Sequence, residues 1–350
     1  AEARVRDAAW CGALRFYVAQ AGAERLAKHL LQAQVTSPLR NGLFQAASWI
    51  SEAPDDGEWR RQTLILLGQL TRQRTFAQVL RQRAAAALVQ TGESGRWAFV
   101  QQLLERSDPF MRRCGVVALS HLGLSDPAQA VELLTALQKD GDGLVRQLSV
   151  TALAWLATPQ AEKPLLAALI EGDDVMRQAA AEGLARMGRE GSEILREALE
   201  DESIAVRVAA VRAMAHMEAP WVAQTLSQVE RQDAEWMVRG AASDVIVELE
   251  ARDKVQPWLP LQPRGLRWLV NLATREGRVV PEGEAARPFL VQVMAQTTDP
   301  AVRAAAALAL GQLPDPQVLP ALETAVRESD PLVQEAAFVT FCQIDRAFGT

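Results

Sequence analysis

The chain has 350 residues, of which 37 are Lys or Arg and 43 are Asp or Glu, so its formal net charge is −6. This balance argues against a nucleic-acid backbone as the main partner, because such binding needs a dense basic face. No apolar stretch approaches the ~20 residues of a membrane-spanning helix, and no signal peptide is recognisable. The three cysteines lie far apart in sequence, where we expect no disulfide among them, and this favours a cytoplasmic location.

A pair made of an apolar residue and an arginine recurs along the whole chain. In most copies a small residue follows the arginine after three positions, and Leu, Met or Ile follows it after seven. A period of about thirty residues is typical of a solenoid, in which stacked helical hairpins share one continuous core. We call the recurring position the marker. It is occupied by Arg6, Arg40, Arg81, Arg112, Arg146, Arg177, Arg207, Arg239, Arg267, Arg303 and finally Gln334.

The first segment, 1–75, follows this repeat poorly. The interval between Arg40 and Arg81 is the longest between two markers, and a Pro-Asp-Asp-Gly break at 54–57 interrupts it. We therefore predict divergent N-terminal helical repeats over 1–75. The chain begins at Ala1 inside a helical pattern, which is consistent with a fragment of a longer polypeptide.

The second segment, 76–252, contains the regular repeats, and 159–190 illustrate one of them. A first helix ends at a turn over 171–174, where Asp173 or Asp174 caps the next helix. The second helix is predicted from Val175 to Met187, and Gly188 ends it. The marker arginine lies at the edge of the apolar face of this helix. We expect it to reach carboxylates or carbonyls at the turn of its own or the adjacent repeat.

Two further segments complete the chain. Residues 253–288 carry the proline-rich stretches DKVQPWLPLQPRG and EGRVVPEGEAARP on either side of LRWLVNLATREG, and we predict one degenerate repeat with Pro-rich loops. Sequence drift explains this irregularity, and so does a loop that protrudes over the groove or contacts another domain; both explanations stay open. Residues 289–350 return to the regular pattern as C-terminal repeats.

Four stretches follow the pattern closely: DPFMRRCGVVALSHLG, DDVMRQAAAEGLARMG, ESIAVRVAAVRAMAHM and DPAVRAAAALALGQLP. They resemble the short form of the HEAT repeat, and the resemblance extends over about 76–350. In HEAT proteins the second helix of each hairpin lines the concave surface. The resemblance implies an all-α, right-handed α-solenoid (superhelix) of about eleven HEAT-like helical hairpins that binds partners as a scaffold. The same short repeat occurs in phycobilin lyases, which are enzymes.

Three N-terminal stretches, LRFYVAQAG, LAKHLLQAQ and SPLRNGLFQAASWISEA, resemble the helical region of bacterial NACHT-type signalling ATPases. In those proteins this region follows the nucleotide-binding module and leads into C-terminal HEAT repeats. The chain has no G-x-x-x-x-G-K-[ST] motif, so such a module would lie outside it. The resemblance implies a ligand-sensing or regulatory arm of a larger signalling protein, with an adjoining nucleotide-binding domain.

The helical wheel places positions +1, +4, +5 and +8 from each marker on the concave face. These positions are apolar in most repeats, and an extended apolar strip indicates a protein or peptide partner rather than nucleic acid or membrane. The candidate contact residues are Trp10, Phe44, Arg113, Val117, Val150, Arg212, Trp268, Arg275 and Phe338. The alternative is that a tight superhelix partly buries them against adjacent repeats.

No catalytic constellation is recognisable in the sequence. The three histidines belong to no H-x-x-x-H set, and Cys114 with His121 supplies two ligands, too few for a closed zinc site. We therefore predict no metal, no cofactor and a non-catalytic protein-interaction module. The alternatives are a stand-alone scaffold for complex assembly and an enzyme of the phycobilin-lyase type. A HEAT-like DNA-repair glycosylase would need a basic groove, which the sequence lacks.

Overall fold

The computed structural model describes residues 11–33, 39–54, 57–252, 283–328 and 330–348. All regular structure in these ranges is helical, as predicted. The chain divides into two compact units: unit 1 combines Ala1–Ser94 with Pro257–Thr350, and unit 2 is Gly95–Gln256. This division follows contacts, whereas the predicted segments follow repeat regularity, so their boundaries stay predictions. Most of the predicted degenerate repeat, at 253–282, lies outside the described residues.

The described residues contain nineteen α-helices. They are α1 (Cys11–Ala21), α2 (Glu24–Ala33), α3 (Asn41–Trp49), α4 (Glu58–Arg72), α5 (Gln78–Gln90), α6 (Arg96–Leu104), α7 (Pro109–Leu122), α8 (Pro127–Leu137), α9 (Gly143–Leu156), α10 (Glu162–Glu171), α11 (Asp174–Arg186), α12 (Gly188–Ala198), α13 (Ile204–Ala213), α14 (Val222–Gln232), α15 (Trp236–Arg252), α16 (Arg287–Gln296), α17 (Pro300–Leu310), α18 (Leu319–Val326) and α19 (Pro331–Phe348).

Unit 2 is a stack of helical hairpins formed by α6 to α15. Each even-numbered helix is the first helix of a hairpin and packs on the odd-numbered second helix that follows it. The second helices also pack on one another in chain order, from α7 through α9, α11 and α13 to α15. Each hairpin therefore buries its apolar side against its neighbours, which is the packing of a solenoid.

Aspartate side chains begin several second helices. The carboxylate of Asp142 accepts a hydrogen bond of 3.0 Å from the amide of Val145, and Asp108, Asp299 and Asp330 cap their helices in the same way. Of the two predicted candidates before α11, Asp173 is the cap. Gly188 follows the last turn of α11 with φ +69°, a left-handed conformation that glycine adopts at low cost. The predicted ends of this helix are thus confirmed to within one residue.

Seven marker arginines hold the turns between first and second helices. Arg112 donates through Nη1 to the carbonyls of Arg106 and Ser107, at 3.0 and 2.8 Å. Its Nε and Nη2 donate to the Asp140 carboxylate of the next hairpin, both at 2.8 Å. Six other marker arginines donate to carbonyls in the last turn of the first helix or in the turn that follows it. They are Arg81, Arg146, Arg177, Arg207, Arg239 and Arg303. The structural role predicted for the marker is therefore confirmed.

The Arg112–Asp140 pair makes part of the stability dependent on pH. The hydrogen bond from Arg112 holds the pKa of Asp140 below its usual value. A carboxylate with a lowered pKa stabilises the fold above the unfolded-state value of about 3.9, and that contribution is lost as the pH falls through the lower folded-state value. We expect Asp140→Asn to cost about 1–3 kcal/mol at neutral pH. The free energy of unfolding, measured with urea between pH 3 and 7, should fall less toward acidic pH for this variant than for the parent chain. Equal pH dependence of the two would contradict the assignment.

Unit 1 has one hydrophobic core that contains residues from both ends of the chain. Trp49, Trp59 and Leu80 from the N-terminal segment belong to the same buried cluster as Phe289 and Phe338 from the C-terminal segment. Within this unit α17 packs on α19, α19 packs on α5, and α5 packs on α3 and α4. The α4–α5 hairpin therefore takes the place of the next repeat after α18–α19.

Hydrogen bonds at this junction reproduce those between consecutive repeats. Gln334 occupies the marker position of α19, and its Nε2 donates to the carbonyls of Thr75 and Val326, both at 3.0 Å. The carboxylate of Glu335 accepts hydrogen bonds from the amides of Gln78 and Val79, the latter at 3.2 Å. Repeats that are distant in sequence therefore touch in unit 1, because residues from both ends of the chain enter one core.

Candidate partner-binding surface

Three of the predicted groove residues are buried. Phe44, Val150 and Phe338 each lie four positions after a marker, and the prediction that they line an open groove is wrong. Position +4 is buried because it faces the neighbouring helices of the stack. The guanidinium of Arg83 additionally covers the ring of Phe44, at 4.0 Å from its centroid. The alternative of burial against adjacent repeats is the correct one for these side chains.

The remaining predicted residues have other placements. Arg212 is exposed, and Val117 is half-buried at the same +5 position of its repeat. Arg113 is half-buried, with its Nε and Nη2 donating to the carboxylate of Asp142 at 3.1 and 2.8 Å. Whether these three side chains contact a partner stays a prediction. The other three, Trp10, Trp268 and Arg275, lie outside the described residues.

The open face of the second helices in unit 2 is centred on positions −2, +5 and +9 from the marker. Thr151 and Arg212 at +5 are exposed, as are Trp155 and His216 at +9. At about 100° per residue this face is rotated by roughly 70° from the predicted one. The rotation arises because each second helix is covered by its own first helix and by the second helices on both sides.

Apolar side chains occupy position −2 at the start of successive second helices. We call this set, together with Trp236 at position −3 of its repeat, the apolar row. It consists of Phe110, Leu144, Val175, Ala205, Trp236 and Met237. The exposed fractions are 38% for Phe110, 50% for Leu144, 56% for Val175, 71% for Trp236 and 50% for Met237. Sequence reasoning missed the row, although in three repeats an apolar residue on the polar side of the wheel, two positions after a capping aspartate, was a usable signal.

Carboxylates predominate in the turns beside the apolar row. The turns lie at 105–108, 138–142, 171–174, 200–203 and 231–235. Their exposed acidic residues are Glu105, Glu171, Asp173, Asp174, Glu200 and Glu202, and their exposed basic residues are Arg106, Lys139 and Arg231. The marker arginines donate to carbonyls and carboxylates of the same turns, so their charge is already engaged. The edge that carries the apolar row is therefore acidic.

Ring contacts shape the opposite end of this open face. The rings of His121 and Trp155, both at +9, meet edge to face with centroids 5.6 Å apart. Burial lowers the pKa of His121, so the imidazole is neutral at physiological pH. Cys114 is buried in the same helix. These contacts assign packing roles to Cys114 and His121.

Two kinds of feature are absent from the described residues. Among them no three His, Cys, Asp or Glu side chains come close enough together to hold a metal ion. None of the helices in the described ranges combines the length and the apolar character that crossing a membrane requires.

Comparison with known proteins identifies the repeat. A family model described as HEAT repeats matches residues 63–154, 130–192, 162–246 and 267–340. No curated protein matches the chain. Among solved structures, human deoxyhypusine hydroxylase is 20% identical, with a TM-score of 0.37 and coverage of 81% of this chain and 96% of that one.

Two further structures are similar over nearly the whole chain. An engineered protein is 18% identical over 96% of this chain and 91% of its own, with a TM-score of 0.34. Yeast importin-beta is 15% identical over 95% of this chain and 45% of its own, with a TM-score of 0.32. Identities this low say nothing about function, and the assignment depends on the family model, which matches well over half of the residues. Together with the stacked hairpins and the marker arginines, this match shows that the chain belongs to the HEAT-repeat family.

Proposed function

We propose that this chain is a non-catalytic protein-interaction module and that its binding surface is the apolar row of unit 2. The observation that carries the proposal is the exposure of large apolar side chains at one equivalent position in four of the five second helices of unit 2, with a half-buried alanine in the fifth. Exposed apolar side chains that continue from repeat to repeat are typical of a surface that a protein partner covers. The rigid stack below them holds the row in a fixed geometry, which lowers the entropy cost of binding.

Site-specific crosslinking in the native cell tests this proposal. A photoreactive amino acid at Val175 or Leu144 should yield one defined protein adduct, because both positions belong to the row. The matched control is Ile170 on α10, which is apolar and about half exposed like Val175 but lies on a first helix. The adduct should be absent at Ile170. Equal adducts at all three positions, or none in the row, would refute the assignment.

The captured protein then allows a quantitative check. The double variant Leu144→Ser, Val175→Ser removes two half-exposed apolar side chains from the row. We expect it to weaken partner binding by about 1 kcal/mol per side chain, because less apolar surface is buried in the complex. Isothermal titration calorimetry measures the loss, and Ile170→Ser should bind as tightly as the parent chain.

For the wider context we propose the regulatory arm of a larger, NACHT-like cytoplasmic signalling protein. The resemblance of the N-terminal stretches supports this context. A partner that contacts several repeats at once would favour one arrangement of an attached nucleotide-binding domain over another. Reading the coding sequence upstream of Ala1 tests it: a nucleotide-binding module there supports the proposal, and a start codon supports the stand-alone scaffold instead. A bilin adduct formed on an apo-phycobiliprotein would favour the lyase alternative.

A further inference from the structure

The apolar row has the length of a short recognition helix. Its members stand on α7, α9, α11, α13 and α15, each packed on the next. Helices in contact lie about 8–10 Å apart, so four steps along the stack make a row of roughly 32–40 Å. A helix rises about 1.5 Å per residue, and residues seven apart on it are separated by roughly 10.5 Å. A helix of about 25 residues with apolar side chains at that spacing therefore matches the row.

The charge at the edge of the row determines whether a basic or an acidic partner segment is favoured there. Helix N-termini attract anions, but at this edge the aspartate caps Asp108, Asp142 and Asp173 already satisfy them. The marker arginines are engaged by carbonyls and carboxylates of the turns. The charged side chains that remain exposed in these turns are mainly carboxylates, and Glu171 and Glu202 are two of them. An acidic segment would be repelled here, and a basic one attracted.

The two ends of the row differ in the apolar surface that they expose. At the α15 end, Trp236 and Met237 present the largest exposed apolar surface, and tryptophan is a frequent anchor of interfaces. At the α7 end, the guanidinium of Arg113 lies 4.7 Å from the centroid of the Phe110 ring, and its charge is paired with Asp142. The bulk of the apolar contact is therefore available at α15, and the exposed carboxylates concentrate in the turns before α11 and α13.

We infer that the apolar row receives a basic amphipathic helix of a protein partner, with its apolar stripe on the row and its Lys or Arg side chains on the carboxylates of the adjoining turns. This inference depends on the proposed function and adds the chemistry of the partner to it. Apolar contact supplies the affinity, and the acidic edge discriminates between partners by charge.

Two synthetic peptides of 25 residues test the inference on the full chain. Both carry the same leucine stripe; one has Lys and the other Glu at the flanking positions. Fluorescence anisotropy should show binding of the Lys peptide that weakens as the salt concentration rises, and circular dichroism should show that this peptide becomes helical when bound. The Glu peptide should bind at least about tenfold more weakly.

Paired variants separate this surface from general attraction between opposite charges. Glu171→Gln with Glu202→Gln should weaken the Lys peptide by about threefold or more. The matched control, Glu132→Gln with Glu197→Gln, neutralises two exposed carboxylates on first helices of the same unit and should leave binding unchanged. Val175→Ser should weaken binding, whereas Ile170→Ser should not.

Three outcomes would overturn the inference. They are equal binding of the two peptides, stronger binding of the Glu peptide, and an equal loss in both pairs of glutamate variants. If the crosslinked adduct at Val175 persists in the cell while the Lys peptide fails to bind, the row is a binding surface and the predicted chemistry of its occupant is wrong. If both the adduct and the peptide binding are absent, the proposed function itself fails.

Discussion

Replacing Leu184 with alanine is expected to destabilise unit 2 by about 2–5 kcal/mol. Leu184 lies in α11 with 0% of its surface exposed, between the helices of the adjacent hairpins. Truncation removes the transfer free energy of the lost methyl groups and leaves a cavity that the rigid stack cannot fully close. Urea unfolding followed by far-ultraviolet circular dichroism measures the loss.

The same substitution at Leu124 is the control. Leu124 is largely exposed in the turn between α7 and α8, so its truncation should change the free energy of unfolding by at most about 0.5 kcal/mol. Each hairpin is stabilised by its neighbours, so the Leu184 variant should also speed amide hydrogen exchange in α9 and α13. A loss at Leu184 no larger than that at Leu124 would show that α11 does not occupy the core position described.

Local pattern was sufficient for the regular repeats of unit 2. The helix predicted at 175–187 differs from α11 by one residue at each end, because a capping aspartate and a terminal glycine act within a few residues of the chain. The marker arginines were also predictable, since the carbonyls that they bind lie five to ten positions earlier in the same repeat. Interactions that are short in sequence leave a pattern that a single sequence reveals.

The orientation of the second helices was not predictable to the same degree. Val150 at +4 and Val117 at +5 are the same residue type, and only the stacked neighbours decide that the first is buried and the second half-buried. The candidate contact surface was consequently displaced toward the core. Position −2, in the first turn of the second helix, holds the exposed Leu144 and Val175.

The packing of α19 on α5 in unit 1 is indicated at a single position of the sequence. The contact joins Gln334 to Thr75 across 259 positions, and no local periodicity reports such a pairing. The sequence signal of this contact was the replacement of arginine by glutamine at the last marker. Glutamine retains the donor that the carbonyls of Thr75 and Val326 require, and it adds no charge to a site that is buried.

The junction between α19 and α5 should therefore fail when its two polar side chains are truncated. Gln334→Ala removes a buried donor from the carbonyls of Thr75 and Val326 and is expected to cost about 1–3 kcal/mol. Glu335→Ala removes the acceptor at the first turn of α5, which has no side-chain cap of its own, and is expected to cost about 0.5–2 kcal/mol. The two residues are neighbours, so the loss in the double variant need not equal the sum of the single losses.

Hydrogen exchange locates the effect at the junction. The amides of Gln78 and Val79 donate to Glu335, so Glu335→Ala should speed their exchange while the amides of α11 in unit 2 stay protected. Gln312→Ala, an exposed glutamine just after α17, is the matched control and should change neither stability nor exchange. Unchanged exchange at Gln78 and Val79 in a destabilised Glu335 variant would show that the carboxylate acts elsewhere.

The charge of Glu335 gives the junction a pH dependence opposite to that of Asp140. Burial raises the pKa of Glu335, although the amides of Gln78 and Val79 and the charge of Arg81 act against the rise. The folded chain therefore binds this proton more tightly than the unfolded chain, whose glutamate has a pKa of about 4.3, and the contribution to stability falls as the pH rises above that value. Glu335→Gln keeps an acceptor and has no proton to lose, so its stability relative to the parent chain should improve from pH 4 to pH 7. A constant difference over that range would mean that Glu335 is equally solvated in the folded and unfolded chains, and the α19–α5 contact would then not bury it.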